Sequence, residues 1–357
     1  MPTDWKTALV SPTLGRVTSR MPRADSATRE GRPRPAWKRR VKALLGPGLV
    51  HRMNLLAICL DEMMKPVPPT AYPIPLEVMR ETLLEGGVAP GSVLHVQSSS
   101  SHLYRGWPVR TPEAALGGAE YAAAVLRLLL ELVGPRGTLL MSTDFQRPGG
   151  WLKRLVVDGP IDADIFVPAR SPSRRGVISE LFRQLPGSIR SVHPYYNVTA
   201  YGPLAKELVG EHHLSTPYVQ DQHSPWYKLT TVGARVALLG RTFEVNSPIH
   251  LVEFLHPQEF PRPIYMQRPV TMHWEDSEGR HPIDVFLHTS GAPGASFFVP
   301  ESLFKFSAYL QERYGIYRIR DFHGGVQVVT YDAHEQYEAY LREMKAGVTW
   351  YDPEFLP

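Results

Sequence analysis

Cysteine is nearly absent from this sequence, since Cys59 is the one thiol among 357 residues. A single thiol excludes an intramolecular disulfide and any thiolate cluster for zinc or iron–sulfur binding, which fits a reducing compartment. The Gly-x-Ser-x-Gly elbow, the Walker phosphate loop, the His-Glu-x-x-His motif and the Gly-x-Gly-x-x-Gly fingerprint are also missing. Their absence disfavours common serine hydrolases, nucleotidases, zinc proteases and dinucleotide enzymes. We therefore expect a cytoplasmic protein without a bound metal.

Long apolar runs are missing too. The apolar segment 53–60 is interrupted by Asn54 and bounded by Arg52 and Asp61, so it is too short to cross a bilayer. No repeat with a period of about 20–50 residues is visible, which excludes solenoids and propellers. With 43% hydrophobic and 21% charged residues, the chain has the composition of a globular protein.

The formal net charge of +4 is unevenly distributed along the chain. Residues 1–52 carry 12 Lys and Arg against three acids, a net charge of +9, so residues 53–357 carry −5. A mildly acidic body does not predict nucleic-acid binding. We expect a disordered basic tail over 1–35 and a helical, Pro-rich extension over 36–76. The extension either packs on the body or makes weak peripheral contact with an anionic membrane surface.

From residue 77 to 357 strand and helix patterns alternate, which predicts one α/β domain. Strands are expected at 92–96, 138–142, 235–239 and 326–331, and helices at 114–133, 179–184, 248–255 and 333–345. The segment 258–325 is richer in Pro, Gly and aromatic residues and carries short strand signals at 268–273 and 282–287. The predicted fold is a doubly wound mixed sheet flanked by helices, with a β-rich insertion and the basic N-terminal extension.

Two segments are candidates for ligand binding. Gln97-Ser98-Ser99-Ser100 ends the first strand, where hydroxyls and backbone N–H groups can bind phosphate or carbonyl oxygens, although an ordinary turn has the same composition. Gly117-Gly118 lies where the following helix would run, and glycine there suggests a close backbone approach.

Two histidines are candidates for a general base. His193 precedes a proline, which fixes its backbone in an extended form, and Arg190 could pair with an anion nearby. His250 and Glu253 are spaced i, i+3, so on a helix the carboxylate would fix the imidazole tautomer. A histidine satisfied by a backbone carbonyl, or a pair of metal ligands, are the alternatives. His212 and His213 are expected in a solvated polar loop.

These segments, in order, resemble the aminoglycoside 3-N-acetyltransferase (antibiotic N-acetyltransferase) family over roughly residues 77–345. The matching pieces are Gln97-Ser98-Ser99, Gly117-Gly118-Ala119-Glu120, the Gly-Pro-Arg-Gly-Thr-Leu run at 134–139, the Gly-Val-Ile-Ser-Glu-Leu-Phe-Arg run at 176–183, Arg190-Ser191-Val192-His193-Pro194, Ser224-Pro225, residues 236–240 and His250-Leu251-Val252-Glu253.

The resemblance implies transfer of an acetyl group from acetyl-CoA to an amine of an amino sugar or related small molecule. An amine is mostly protonated at pH 7, so a base must take its proton before it attacks the thioester, and backbone N–H groups must stabilise the resulting oxyanion. The candidate catalytic residues are His250, Glu253, His193 and Tyr196, with His250 preferred as the base because Glu253 can hold its tautomer. The implied CoA-binding residues are Gln97, Ser98, Ser99, Ser100, Gly117, Gly118, Arg190 and Ser191.

Three positions depart from the family pattern. The second histidine of His-Pro-x-His-Ser, usually assigned the base role, falls on Tyr196 with Asn197 after it, and the loop histidine falls on Gln97. A tyrosine with an ordinary pKa near 10 is a poor base. Either His193 or His250 takes over, or the acceptor is a weakly basic amine, or transfer is lost. In the last case the chain is a CoA- or sugar-nucleotide-binding protein without transfer activity.

We predict that removing residues 1–70 leaves a folded core, because the α/β pattern starts near residue 77 after a Pro-rich stretch. The measurement is a thermal melt of the truncated chain beside the full chain. Loss of the cooperative transition would contradict this boundary and assign the segment around 49–64 to the core.

Overall fold

The computed structural model describes residues 71–144, 165–240, 243–260, 268–286 and 300–355. The basic tail and residues 36–70 of the predicted extension lie outside these ranges. Strands in the described ranges are β1 (Val93–Ser98), β2 (Thr138–Ser142), β3 (Ile189–Arg190), β4 (Val198–Tyr201), β5 (Arg235–Leu239), β6 (Val270–Glu275), β7 (Arg280–Val285), β8 (Arg318–Asp321) and β9 (Gln327–Asp332).

Seven of these strands form one mixed sheet in the order β3-β4-β2-β1-β5-β9-β8, while β6 and β7 form a separate hairpin. The helices in the described ranges are α1 (Leu76–Glu85), α2 (Ser100–Leu103), α3 (Gly118–Val133), α4 (Val177–Arg183), α5 (Ala205–Val209), α6 (Pro225–Thr231), α7 (Leu251–Leu255), α8 (Pro300–Tyr314) and α9 (Ala333–Lys345). The predicted mixed sheet flanked by helices is confirmed. Within the described residues, no helix is long and apolar enough to cross a bilayer.

Strand direction brings distant parts of the chain to one edge of the sheet. β1 is parallel to both β2 and β5, so the carboxyl ends of these three strands lie together. β4 and β9 are antiparallel to β2 and β5, so the chain enters them at that same edge. Loops at this carboxyl edge are where open α/β sheets bind ligands. The edge therefore positions the candidate site.

Each strand contributes side chains to two buried layers, because alternate residues point to opposite faces of a sheet. In β5, Val236 and Leu238 belong to one apolar cluster and Ala237 and Leu239 to the other. Helix α3 packs against the second face and α9 against the first. The continuous apolar runs of the central strands reflect this burial on both faces.

The segment 258–325 is only partly the β-rich insertion that the sequence suggests. The hairpin β6–β7 is present, but α8 occupies the later part and β8 joins the main sheet. The expectation is wrong for α8, where Leu303, Phe306 and Leu310 follow helical spacing and are fully buried. The Pro- and Gly-rich stretch before this helix obscured the period.

The hairpin packs beside the carboxyl edge. Met272 of β6 and Ile283 of β7 share a small apolar cluster with Tyr195 and Phe254. Tyr195 belongs to the loop before β4 and Phe254 to α7, so the hairpin supports two segments that carry candidate site residues.

Candidate active site

Gln97 joins the end of β1 to the turn that precedes His250. Its amide nitrogen donates to the hydroxyls of Ser247 at 2.7 Å and Ser142 at 3.2 Å, and its carbonyl oxygen accepts from the Ser247 backbone N–H at 3.2 Å. Gln97 is 6% exposed. Because its polar atoms are used inside the protein, it positions the 247–250 turn and offers little to a ligand.

The serine loop begins where β1 ends. Ser98 is partly exposed, whereas Ser99 and Ser100 are buried. The Ser99 hydroxyl lies 2.8 Å from His102 Nδ1, and its backbone N–H donates to the Leu239 carbonyl at 2.9 Å. Of these three serines, Ser98 is the most exposed.

The pair Gly117-Gly118 starts helix α3. Gly117 is the N-cap, and its N–H donates to the Glu120 carboxylate at 2.7 Å. A side chain added at Gly118 would meet no atom within 4 Å, so the expected close backbone approach is wrong. The predicted helix from 114 begins only at Gly118, because Pro112–Ala115 forms a separate 3₁₀ turn. Since α3 leads into the start of β2, its N-terminus lies at the carboxyl edge.

Arg190 is a structural clamp in this fold. Its guanidinium donates to the carbonyls of Pro168 at 3.2 Å, Ser171 and Thr143, and to the Asn197 side-chain oxygen at 2.8 Å. Burial lowers the pKa of Arg190 to about 9, which still leaves it charged at pH 7. These contacts hold three loops together, so the geometry gives Arg190 a role different from the CoA contact that the sequence suggested.

His193 is fully buried, and both of its ring nitrogens face backbone atoms. Nδ1 lies against the carbonyl of Tyr195 and accepts from the Tyr195 N–H at 3.1 Å, while Nε2 lies 3.2 Å from the Ser215 carbonyl. Burial lowers the pKa of His193 to about 4. The alternative of a histidine satisfied by the backbone therefore describes His193 better than the base role does.

His212 stacks on His193 with ring centroids 4.6 Å apart. It is fully buried, so the expected solvated loop is wrong at this position. Its Nδ1 lies 3.0 Å from the Ser191 hydroxyl and its Nε2 lies 3.1 Å from the Val219 carbonyl. Ser191 is 1% exposed and also accepts from the Val198 N–H, so it is occupied within the protein.

Tyr196 occupies the position of the family histidine and adopts a positive φ of 58°, a conformation that is uncommon for residues other than glycine. Burial raises the pKa of Tyr196, so its phenol stays neutral at pH 7 and can act only as a hydrogen-bond partner. The nearby carboxylate of Asp144 forms an ion pair with Arg175. Burial also raises the pKa of Asp144, against the attraction of Arg175.

His250 and Glu253 form the pair that their spacing predicts. His250 Nδ1 lies 3.1 Å from the Glu253 carboxylate, and the His250 side chain is 10% exposed while that of Glu253 is 0% exposed. A carboxylate at Nδ1 favours the tautomer with hydrogen on Nδ1 and the lone pair on Nε2. Among the side chains in the described ranges, no group of three or more His, Cys, Asp or Glu is arranged to hold a metal ion.

Several residues at this edge were not identified from the sequence. Ser247 is hydrogen-bonded to Gln97, and Asp144 follows the end of β2 and pairs with Arg175. The Glu253 carboxylate also contacts Tyr340 of α9 and Trp350 and Tyr351 of the C-terminal turn. The last two lie almost 100 residues from Glu253, and sequence spacing carries no signal over that distance.

The mixed sheet flanked by helices is the fold of solved aminoglycoside acetyltransferases. The structure of AAC-IIIb in binary complex with CoASH shares this fold, with a TM-score of 0.58 and 21% identity over 77% of this chain and 97% of that chain. The model for the family aminoglycoside 3-N-acetyltransferase matches residues 114–293. The chain belongs to this family, and the predicted family resemblance is confirmed.

Two curated relatives show the extent of the similarity. The SPbeta prophage-derived aminoglycoside N(3')-acetyltransferase-like protein YokD of Bacillus subtilis is 30% identical over 55% of this chain and 71% of its own length. Aminoglycoside N(3)-acetyltransferase IX of Micromonospora chalcea is 29% identical over 41% of this chain and 54% of its own length.

We predict that the free energy of unfolding falls in mild acid, because the buried His193 resists protonation in the folded protein. His193 has a pKa of about 4 in the folded protein, against an ordinary value of about 6.5 after unfolding, so the unfolded chain binds more protons below pH 6.5. This histidine alone should reduce the free energy of unfolding by about 3 kcal/mol between pH 7 and pH 4. Equilibrium urea unfolding at pH 7.5, 6 and 5 measures the slope.

The matched variants are His193→Gln and His213→Gln, which change a buried and an exposed histidine of the same region. The His193 variant should be less stable at pH 7.5 but lose less stability on acidification, whereas the His213 variant should keep most of the wild-type slope, because it retains the buried His193 imidazole. An unchanged slope in His193→Gln would contradict the account.

Proposed function

We propose that this protein is an acetyl-CoA-dependent N-acetyltransferase that acts on an amine of an amino sugar or related small molecule. Family membership supports the reaction class. The observation that carries the proposal is the His250–Glu253 pair at the carboxyl edge, with 3.1 Å between Nδ1 and the carboxylate. The same edge holds the serine loop and the N-terminus of α3.

The described residues are compatible with acyl-CoA at this edge. Space over Gly118 is open, and the N-terminus of a helix attracts phosphate groups through its N–H donors and dipole. Ser98 is partly exposed at the same edge. Gln97, Arg190 and Ser191 do not join this set, because their polar atoms serve internal contacts. Acetyl-CoA would supply the activated acyl group as a thioester.

His250 is the proposed general base. Its Nε2 would take the proton of the acceptor ammonium, and the Glu253 carboxylate would stabilise the imidazolium that forms. Tyr196 stays neutral and can orient the acceptor by a hydrogen bond. His193 supports the loop that carries Tyr196, since both its nitrogens hold backbone groups.

The charges near Tyr196 bear on the choice of acceptor. A polycationic aminoglycoside needs carboxylates to pair with its ammonium groups, and the relatives named above carry that substrate class in their names. Among the described residues near Tyr196, the Asp144 carboxylate is 4% exposed and already paired with Arg175. We therefore propose an amino sugar or other amine that carries less positive charge than an aminoglycoside.

A second candidate function rests on Tyr196 at the position of the family histidine. In that case the pocket binds CoA or a sugar nucleotide without transfer. Titration calorimetry with acetyl-CoA, followed by thiol-release assays over a panel of amines, separates the two functions. Turnover on one of the amines supports the transferase, and binding without turnover on the panel supports the second candidate.

Acetyl-CoA should raise the melting temperature in a concentration-dependent manner, because a ligand that binds only the folded state stabilises it by about 2.7 kcal/mol at a hundredfold excess over Kd. Gly118→Val fills the open space at the N-terminus of α3 and should weaken the shift. ATP at the same concentration is the control, since it has phosphates but no pantetheine arm. No shift at millimolar acetyl-CoA would contradict the assignment.

His250→Ala should lower kcat by about 10²–10⁴-fold, the usual effect of losing a general base, while acetyl-CoA binding changes little. His193→Ala should reduce activity less, through loop geometry. Steady-state kinetics and acetyl-CoA titration measure both variants.

Tyr196→His provides the complementary comparison, because it restores the family residue. A gain on strongly basic amines would indicate that Tyr196 matches a different acceptor. If His250→Ala kept nearly full activity while His193→Ala abolished it, the two roles would have to be exchanged.

A further inference from the structure

The Glu253 carboxylate is fully buried. Its side chain is 0% exposed. A buried carboxylate without partners takes up a proton, because burial disfavours the charged form. A protonated Glu253 could not hold His250 in the tautomer that a base requires. Whatever donates to this carboxylate therefore controls the base indirectly.

Three aromatic side chains, which we call the aromatic clamp, contact the carboxylate. They are the Tyr340 hydroxyl at 3.2 Å, the Trp350 indole N–H at 2.5 Å and the Tyr351 hydroxyl at 3.4 Å. Tyr340 and Trp350 donate to Oε1, while His250 and Tyr351 face Oε2. Each carboxylate oxygen thus has at least two partners, which is the arrangement expected for an ionised group.

The clamp is held rigidly by its own surroundings. Trp350 and Tyr340 are at most 2% exposed, and the rings of Trp350 and Tyr351 lie 3.8 Å apart. The turn that carries Trp350 and Tyr351 is closed by the Thr349 N–H, which donates to the Asp352 carboxylate at 2.6 Å. The Trp350 ring also meets the His250 ring edge-on, with centroids 5.8 Å apart.

We propose that the aromatic clamp positions Glu253, and through it His250, so that the C-terminal turn of the chain takes part in setting up the base. This inference rests on the proposed transferase function and extends it to residues that touch neither acyl donor nor acceptor. Tyr340, Trp350 and Tyr351 are positioning residues. They stabilise the negative charge that holds the His250 Nδ1–H.

Other groups facing the pair belong to different elements. Tyr196, in the loop before β4, interacts electrostatically with Glu253, and its raised pKa keeps it uncharged at pH 7. Tyr337, about one turn before Tyr340 on α9, bonds to His256 Nε2 at 2.9 Å instead. Tyr337 and Tyr340 therefore offer matched hydroxyls on one helix.

The test compares Tyr340→Phe and Trp350→Phe with the control Tyr337→Phe. Each clamp variant should lower kcat about tenfold, the effect of losing one hydrogen bond to a charged group, with KM for acetyl-CoA unchanged. The state competent for catalysis carries the negative charge that the clamp stabilises, so the acid limb of the pH profile of kcat/KM should move to higher pH. The Tyr337 variant should show neither effect.

Nitrogen-15 NMR of histidine-labelled protein, assigned with His250→Ala, reads the tautomer independently of turnover. The wild type should show His250 protonated on Nδ1 at pH 8, and the clamp variants should show a mixture of tautomers. Tyr340→Phe keeps the ring, so it remains informative if Trp350→Phe fails to fold.

If Tyr340→Phe left kcat and the His250 tautomer unchanged, the proposed positioning role of the aromatic clamp would be wrong. An equal loss of kcat in Tyr337→Phe would contradict it as well. If the wild type turned over no amine, the proposed function would fail, while the tautomer comparison would still decide the clamp.

Discussion

A carboxylate with no exposed surface must be satisfied from within the protein, and Glu253 imposes that requirement on three separate parts of the chain. Helix α7 carries it beside His250, α9 supplies a tyrosine hydroxyl, and the C-terminal turn supplies Trp350 and Tyr351. Removing one partner of a buried charge costs more than the bond itself is worth, because the charge stays buried. The packing of these three elements is thereby linked to the chemistry of one imidazole.

The sheet places this linkage at its carboxyl edge, where open α/β sheets bind ligands. β1, β2 and β5 end together, and Gln97 connects the end of β1 to Ser247 in the turn before His250. Through these hydrogen bonds, the Gln97 side chain connects two segments that are 150 residues apart in the sequence. A histidine at position 97 would have fewer donors to share between Ser142 and Ser247. This gives a structural reason for the departure from the family loop residue.

His193 and His250, the two candidates for the base, differ in the groups that surround their rings. His193 has both nitrogens against backbone atoms, and its ring stacks on His212 in a fully buried layer. His250 retains an exposed fraction and is oriented by a charged partner. Burial without a counter-charge makes a histidine a neutral structural residue, whereas the carboxylate partner of His250 fixes its tautomer and supports the base role proposed for it. Two histidines of the same carboxyl edge therefore differ in role, one structural and one proposed as the base.

The family, the alternation of strands and helices, and the i, i+3 pairing of His250 with Glu253 could be predicted from the sequence, because each depends on local spacing or on motif order. The helix over Ala333–Lys345 and the strand over Arg235–Leu239 were predicted with their observed bounds. The contacts of Arg190 with backbone carbonyls, the burial of His212, and the contacts of Trp350 and Tyr351 with Glu253 became evident only in the folded chain. Burial and long-range hydrogen bonds arise from packing between elements far apart in the chain, and local patterns carry no information about such partners.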